Sequence, residues 1–197
     1  MQPQANTVAS TPALKEQVRQ HSLYQKDLPQ QLYRVVLFDT QTSFNGTDGL
    51  RAGGDGTEKD ADLTTIASSH LNWQSRTQKS PFISFFGNVE QAMEWGEHVV
   101  HTRYRWTAAG ALLVQLDTDR LPAAATGTQT QIFRASDVVS GSLNHNRAHR
   151  EEYLAFEHVP ASALKVVASL VQRGDHGWMW GPETSTPSGQ RFSFEQL

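Results

Sequence analysis

The sequence predicts an α+β domain with few helices. Three observations lead there. About six segments carry the β-branched and aromatic content of strands, helical patterns are sparse, and the two do not alternate as in a doubly wound sheet. The chain of 197 residues is long enough for one domain with a full core.

Composition narrows the function classes. A hydrophobic fraction of 38% with 19% charged residues fits a globular domain. Lys and Arg number 17 against 20 Asp and Glu, a formal charge of -3. That balance argues against tight non-specific binding to nucleic acid and leaves a local basic patch open. Cysteine is absent, which excludes disulfides, thiol catalysis and Cys-ligated zinc. Met1 to Asn6 has no apolar core of a secretory signal, and no stretch is apolar for long enough to span a bilayer. The expectation is a cytoplasmic or nuclear protein without membrane association; a mature product with its signal removed would read the same.

Residues up to about Thr11 are polar and expected to be disordered. A short helix is expected over Ala13 to Gln20, started by Thr11-Pro12, with Leu14 and Val18 four apart on one face. The first strong strand is Leu32 to Phe38, with one charge inside it at Arg34. Thr40 to Asp62 is polar and glycine-rich and reads as a long surface loop. It holds neither a Gly-x-Gly-x-x-Gly pattern nor a Walker-type Lys-Ser/Thr, so a phosphate cradle of those kinds is not supported. Leu63 to Ser75 reads as a helix. Ser80 to Phe86 is the second strong strand, closed by Gly87, and Asn88 caps a helix over Val89 to Val100. Further strands are expected at Gly110–Asp117, Gln131–Ala135, the segment after Glu152, and Leu164–Val171, with a polar loop over Asp137–Arg147. The organisation is a polar segment over 1–28, a domain over 29–172 and an irregular tail over 173–197 that contains Trp178 and Trp180.

Chemistry concentrates at His149-Arg150-Glu151-Glu152-Tyr153-Leu154-Ala155-Phe156. In a strand beginning there, Glu152 shares a face with Leu154 and Phe156, and Glu151 faces solvent. A carboxylate at the mouth of a core-facing strand is costly unless it has partners or a task.

Arg34 in one strand, Ser84 in a second that runs into a helix, and Glu152 at the start of a third make an ordered triple. The stretches Leu32-Tyr33-Arg34-Val35, Ser80-Pro81-Phe82-Ile83-Ser84 and Glu151-Glu152-Tyr153-Leu154, followed by Val159-Pro160, resemble the ADP-ribosyltransferase superfamily in its Arg-Ser-Glu branch. The pattern, over roughly Leu32 to Val167, also resembles an uncharacterised domain common in filamentous-fungal proteins. The resemblance implies a split β-sheet core, NAD as substrate, and a protein or nucleic-acid acceptor. It implies roles for Arg34 on the NAD phosphates and ribose, for Ser84 in holding the catalytic carboxylate, and for Glu152 as that carboxylate. Tyr33, Phe85 and Phe86 are expected on the cofactor side, one of the phenylalanines stacking on nicotinamide, and His149 and Arg150 on the acceptor side. Phe85 and Phe86 stand where classical members have Thr and Ser, and Arg150 where many have Glu or Gln. Hydrolysis of NAD, transfer to an acceptor other than arginine side chains, and a catalytically silent binding domain are therefore all open.

The physical chemistry suits these roles. Breaking the nicotinamide–ribose bond builds positive charge on the sugar, which a neighbouring carboxylate stabilises. A guanidinium presents a planar fork to a pyrophosphate and stays charged at any working pH. Among the 8 histidines, His98 with His101 and His145 with His149 have helical spacings, but without cysteine or a His-Glu-x-x-His motif they imply no metal. His70, ahead of the second strand, is a candidate to line the same cleft. A Ser-His-Asp hydrolase would lack its Gly-x-Ser-x-Gly elbow. Trp73, Trp95, Trp106, Trp178 and Trp180 suit a core or an interaction surface.

Overall fold

The computed structural model describes residues 13–37, 43–54, 62–72, 79–103, 110–122, 130–139, 151–172 and 178–181. Helix α1 (Leu14–His21) buries Leu14 and Val18, as their four-residue spacing requires. Strand β1 (Gln31–Leu37) is followed by a hairpin of β2 (Ser43–Asn45) and β3 (Gly49–Arg51), then helix α2 (Leu63–Asn72). Next come β4 (Phe82–Phe86) and α3 (Val89–Arg103), whose first turn is capped by Asn88, its Oδ1 accepting from Glu90 N at 2.7 Å. Strands β5 (Ala111–Asp117) and β6 (Ile132–Arg134), the single-turn helix α4 (Ala135–Val138), and strands β7 (Glu152–Phe156), β8 (His158–Val159), β9 (Leu164–Gln172) and β10 (Trp178–Gly181) complete the order.

The architecture is mixed α+β, with an antiparallel main sheet, a small second sheet and few helices. The main sheet runs β10-β9-β5-β1-β4-β7-β6, and the second runs β2-β3-β8. Pairing along the main sheet is uneven. β1 and β5 are in register over their whole lengths, from Gln31 opposite Asp117 to Leu37 opposite Ala111. β4 and β7 match from Phe82 opposite Phe156 to Phe86 opposite Glu152. Between these two blocks, β1 and β4 share one registered pair, Tyr33 with Phe86. The sheet is thus split along the β1/β4 seam, in keeping with the split core that the resemblance implies.

Apolar side chains cover both faces. Leu32 and Val36 of β1, Ile83 and Phe85 of β4, and Tyr153 and Ala155 of β7 share one core with Leu50 and Val159 of the small sheet. On the opposite face two clusters sit side by side. Phe82, Leu154 and Phe156 pack with α1, α2 and α4, while Val35, Leu37 and Phe86 pack with α3. Alternation along β4 and β7 puts Ser84 and Glu152 in the same rows as these helix-facing residues.

Several expectations need correction. The stretch Thr40–Asp62 is not all loop, because Phe44 and Leu50 pair across a hairpin that docks β3 on β8. Its turn signals, Asn45-Gly46 and Asp48-Gly49, mark that hairpin, and Gly49 has φ 98, the left-handed region in which glycine carries no penalty. Ala135–Val138 is a helical turn where strand end and loop were expected. Trp178–Gly181 is a strand on β9 within the expected irregular tail. Both faces of β7 are buried, so Tyr153 and Ala155 are core residues as much as Leu154 and Phe156. The expectations for residues 1–12, for Trp73, Trp106, His145, His149 and Arg150, and for most of the 137–147 loop lie outside the described residues. No described helix is long and apolar enough to cross a membrane.

Candidate functional site

The three residues of the ordered triple lie on adjacent strands β1, β4 and β7 and meet at the split in the sheet. Arg34, the charge inside β1, is half-buried as a residue with its guanidinium Nε shielded from solvent, and its Nη1 donates to the carbonyl oxygen of Ser84 at 2.7 Å. The bond crosses the seam where β1 and β4 pair only at Tyr33 and Phe86, so a side chain ties together two strands with little ladder of their own. Burial pushes the Arg34 guanidinium down to about 10, opposed by the attraction of Glu152. It remains a cation at neutral pH.

Glu152 is 3% exposed at the head of β7, and Glu151, one residue earlier, is exposed. The alternation that assigns one carboxylate to the interior and its neighbour to solvent is observed. Gly87 N donates to Glu151 O at 2.9 Å, so the β4–α3 junction holds the backbone just ahead of Glu152.

Ser84, 8% exposed, engages His70, with Oγ and Nε2 at 2.7 Å. Sequence reasoning gave this hydroxyl to Glu152. Ser84 lies opposite Leu154, two residues along β7 from Glu152, and its hydroxyl is taken by His70. His70 reaches Ser84 from the last turn of α2, with its ring edge-on to Phe82 at 5.9 Å. Burial pushes the His70 imidazole down to about 4; Glu152 opposes the shift and Arg34 adds to it. At neutral pH the ring is therefore neutral, and its tautomer decides which partner donates in the bond to Ser84. His70 was legible only as a histidine preceding the second strand. Its direct partnership with Ser84 depends on how α2 folds back over β4.

The expected cofactor-side aromatics are distributed differently. Phe85 is fully buried in the core shared with the small sheet. Phe86 is 4% exposed and packs on Trp95, with centroids 6.1 Å apart. Both rings spend their faces on the interior, so neither offers a stacking surface in this conformation. Tyr33 is partly buried beside α3, and its hydroxyl donates to Gln31 Oε1 at 2.7 Å. Among the described residues no cluster of three or more His, Cys, Asp or Glu side chains is arranged to hold a metal ion.

What converges is therefore a cation, a carboxylate and a neutral imidazole–hydroxyl pair at a strand seam. Such a group can bind an anionic ligand through the guanidinium and stabilise a developing positive charge through the carboxylate.

No curated protein matches the chain. A solved structure described as EcPltA aligns with a TM-score of 0.46 and 13% identity, over 79% of this chain and 85% of that one. Residues 27–172, from the turn ahead of β1 to the end of β9, match the family model described as domain of unknown function DUF7587, and the chain belongs to that family.

Proposed function

We propose that this chain binds NAD and cleaves its nicotinamide–ribose bond, acting as a mono-ADP-ribosyltransferase or an NAD glycohydrolase. The observation that carries the reading is the convergence of Arg34, Ser84 and Glu152 from three adjacent strands on one cluster with His70. Taking these charges and the imidazole out of water together is costly. An anionic substrate that develops positive charge as it reacts would use both ends of the cluster. The residue-by-residue resemblance to ADP-ribosyltransferases points the same way.

In this reading Arg34 holds the pyrophosphate, and Tyr33 borders the cofactor side. Glu152 engages the nicotinamide ribose. The C1′–N bond breaks with its electron pair passing to the nicotinamide ring, which leaves neutral. Glu152 stabilises the oxocarbenium-like sugar. An acceptor lone pair then forms the new bond to C1′, and the acceptor proton is lost to Glu152 or to solvent. Ser84 and His70 order the floor beneath the reacting sugar. Water as acceptor gives hydrolysis, and a protein or nucleic acid gives transfer, with His149 and Arg150 on the acceptor side.

A second reading, a catalytically silent binding domain, is favoured by one observation. Glu152 and Ser84 are 3% and 8% exposed, and a substrate needs at least one of them accessible. Incubation with labelled NAD, followed by assay of free nicotinamide and of label on macromolecules, tests the two. Nicotinamide release with label retained on macromolecules indicates transfer, and release alone indicates hydrolysis. Binding of NAD without release, or no binding, rejects the enzymatic reading.

A further inference from the structure

Helix α1 precedes the segment 27–172 that matches the family, yet it packs directly on the helix that carries His70. Leu14 and Val18, 2% and 0% exposed, share a buried cluster with Leu63, Ala67 and Leu71 of α2 and with Phe82, Leu154 and Phe156 of the sheet. Ala67 and Leu71 flank His70 on α2, three residues before it and one after. Gln17 adds a polar tie, its Oε1 accepting from the Leu63 N–H at 3.0 Å. That N–H belongs to the first turn of α2, whose amides have no partner within their own helix. Asp62 supplies a second cap, its Oδ2 accepting from Thr65 N at 2.9 Å. The exit of α1 is also fixed, because Ser22 Oγ donates to Val18 O at 2.8 Å and Leu23 N donates to Ile132 O of β6 at 2.8 Å.

We infer that α1 is a positioning element of the site: by clamping α2 against the sheet, Leu14, Val18 and Gln17 hold His70 in contact with Ser84. The reason is geometric. A 2.7 Å bond between a helical histidine and a strand serine tolerates little movement of the helix. α2 has ten residues, too few to be stable alone, so packing must locate it. Part of that packing comes from residues outside the matched segment. The functional unit therefore includes α1, which lies ahead of the segment by which the family is matched. The inference rests on the proposed chemistry only for the task His70 serves.

The test uses the full chain and needs no NAD. Leu14→Asp puts a charge where none can stay buried and so releases α1, while Leu14→Met keeps the volume and is the control. Amide exchange reports whether residues 14–21 have undocked, and ring NMR follows the titration of His70, which in the folded chain is surrounded by Arg34, Glu152 and Ser84. With α1 released and the sheet amides still protected, the His70 midpoint should move up by about one unit or more, toward the value of an exposed imidazole. Leu14→Met should leave it in place. An unmoved midpoint with α1 amides exchanging freely overturns the inference. If Leu14→Asp unfolds the sheet as well, Gln17→Ala decides by the same midpoint, since it removes the Leu63 cap and leaves Leu14 and Val18 in the buried cluster; there too an unmoved value counts against the role. A wild-type chain that consumes no NAD would reject the functional reading and leave this result to stand or fall on the titration.

Discussion

Glu151 and Glu152 are chemically identical neighbours in opposite surroundings, one exposed and one 3% exposed. Only the buried one can act electrostatically at low dielectric, so the two make an internal experiment. Glu152→Gln keeps shape and hydrogen bonding and removes the charge. Turnover of NAD should fall about a hundredfold or more with a much smaller change in KM, whereas Glu151→Gln should keep most activity. Loss of activity in Glu151→Gln alone would show that the carboxylate roles are reversed. Arg34 has two duties, bonding Ser84 O across the seam and, in the proposed function, holding a pyrophosphate. Arg34→Ala should weaken NAD binding by about 1.5–3 kcal/mol, and Arg34→Lys should recover only part, because an ammonium has no planar fork. Calorimetry on both variants checks this, and unchanged affinity in both removes Arg34 from the site. His70 makes a third prediction, about pH. Its folded value of about 4 lies below the ordinary 6.5, so the unfolded chain takes up the proton first as pH falls. Its contribution to stability is complete above pH 6.5 and is lost progressively toward pH 4, by an amount on the order of 3 kcal/mol. Denaturant titrations of the wild type and His70→Asn at several pH values isolate this term. Parallel pH profiles for the two would show that His70 is not held neutral.

At the scale of elements, the junction between β7 and β8 links the strand of Glu152 to the small sheet. Glu157 adopts φ 60, a conformation that side chains other than glycine take at a cost. Its backbone is held on both sides, with Glu157 N donating to Pro81 O and Glu157 O accepting from Ala52 N, each at 2.8 Å. Glu157→Gly should therefore be neutral or stabilising by up to about 1 kcal/mol, against the usual cost of a glycine. Gly49, facing β8 with φ 98, is the opposite case. A Cβ there would meet the Val159 carbonyl and, at 2.6 Å, the Ala161 amide nitrogen. Gly49→Ala should lower the melting temperature by several degrees, reflecting backbone strain of about 1–3 kcal/mol plus the steric clash. A Gly49→Ala chain as stable as wild type would mean that the hairpin can leave β8 without cost.

For the whole molecule, the uneven pairing of the main sheet is the organising feature. The block β10-β9-β5-β1 is laddered throughout, with one register shift at Leu113/Val114, and β4-β7-β6 is a second laddered block. The seam has one registered pair, the Arg34–Ser84 bond and the apolar core beneath it. Opening at the seam should cost less than opening within either block. Amides of β5 from Leu112 to Leu116 should then exchange by global unfolding, and those at Tyr33 and Phe86 faster. Uniform protection across the sheet would argue against a mechanically distinct seam.

How much of this was readable from residues alone depends on the range of the interactions. Strand alternation is local, so the burial of Glu152 beside Leu154 and Phe156 and the exposure of Glu151 followed from the order of residues, as did the one-sided helix at Leu14 and Val18 and the Asn88 cap. Sparse helices without β-α alternation likewise determined the α+β class. What local pattern could not carry was pairing across distance. The hairpin at Phe44 and Leu50 depends on docking against β8, more than a hundred residues later, and polar, glycine-rich composition masks it. Phe85 and Phe86 look alike as ring donors, but which face each turns to the core is set by the neighbours of β4 on either side. The partner of Ser84 was decided last. Register put Leu154 opposite it, and the fold of α2 back over β4 brought His70 to within 2.7 Å. Contacts between elements far apart in sequence leave no periodicity along the chain, so tertiary structure alone chose them.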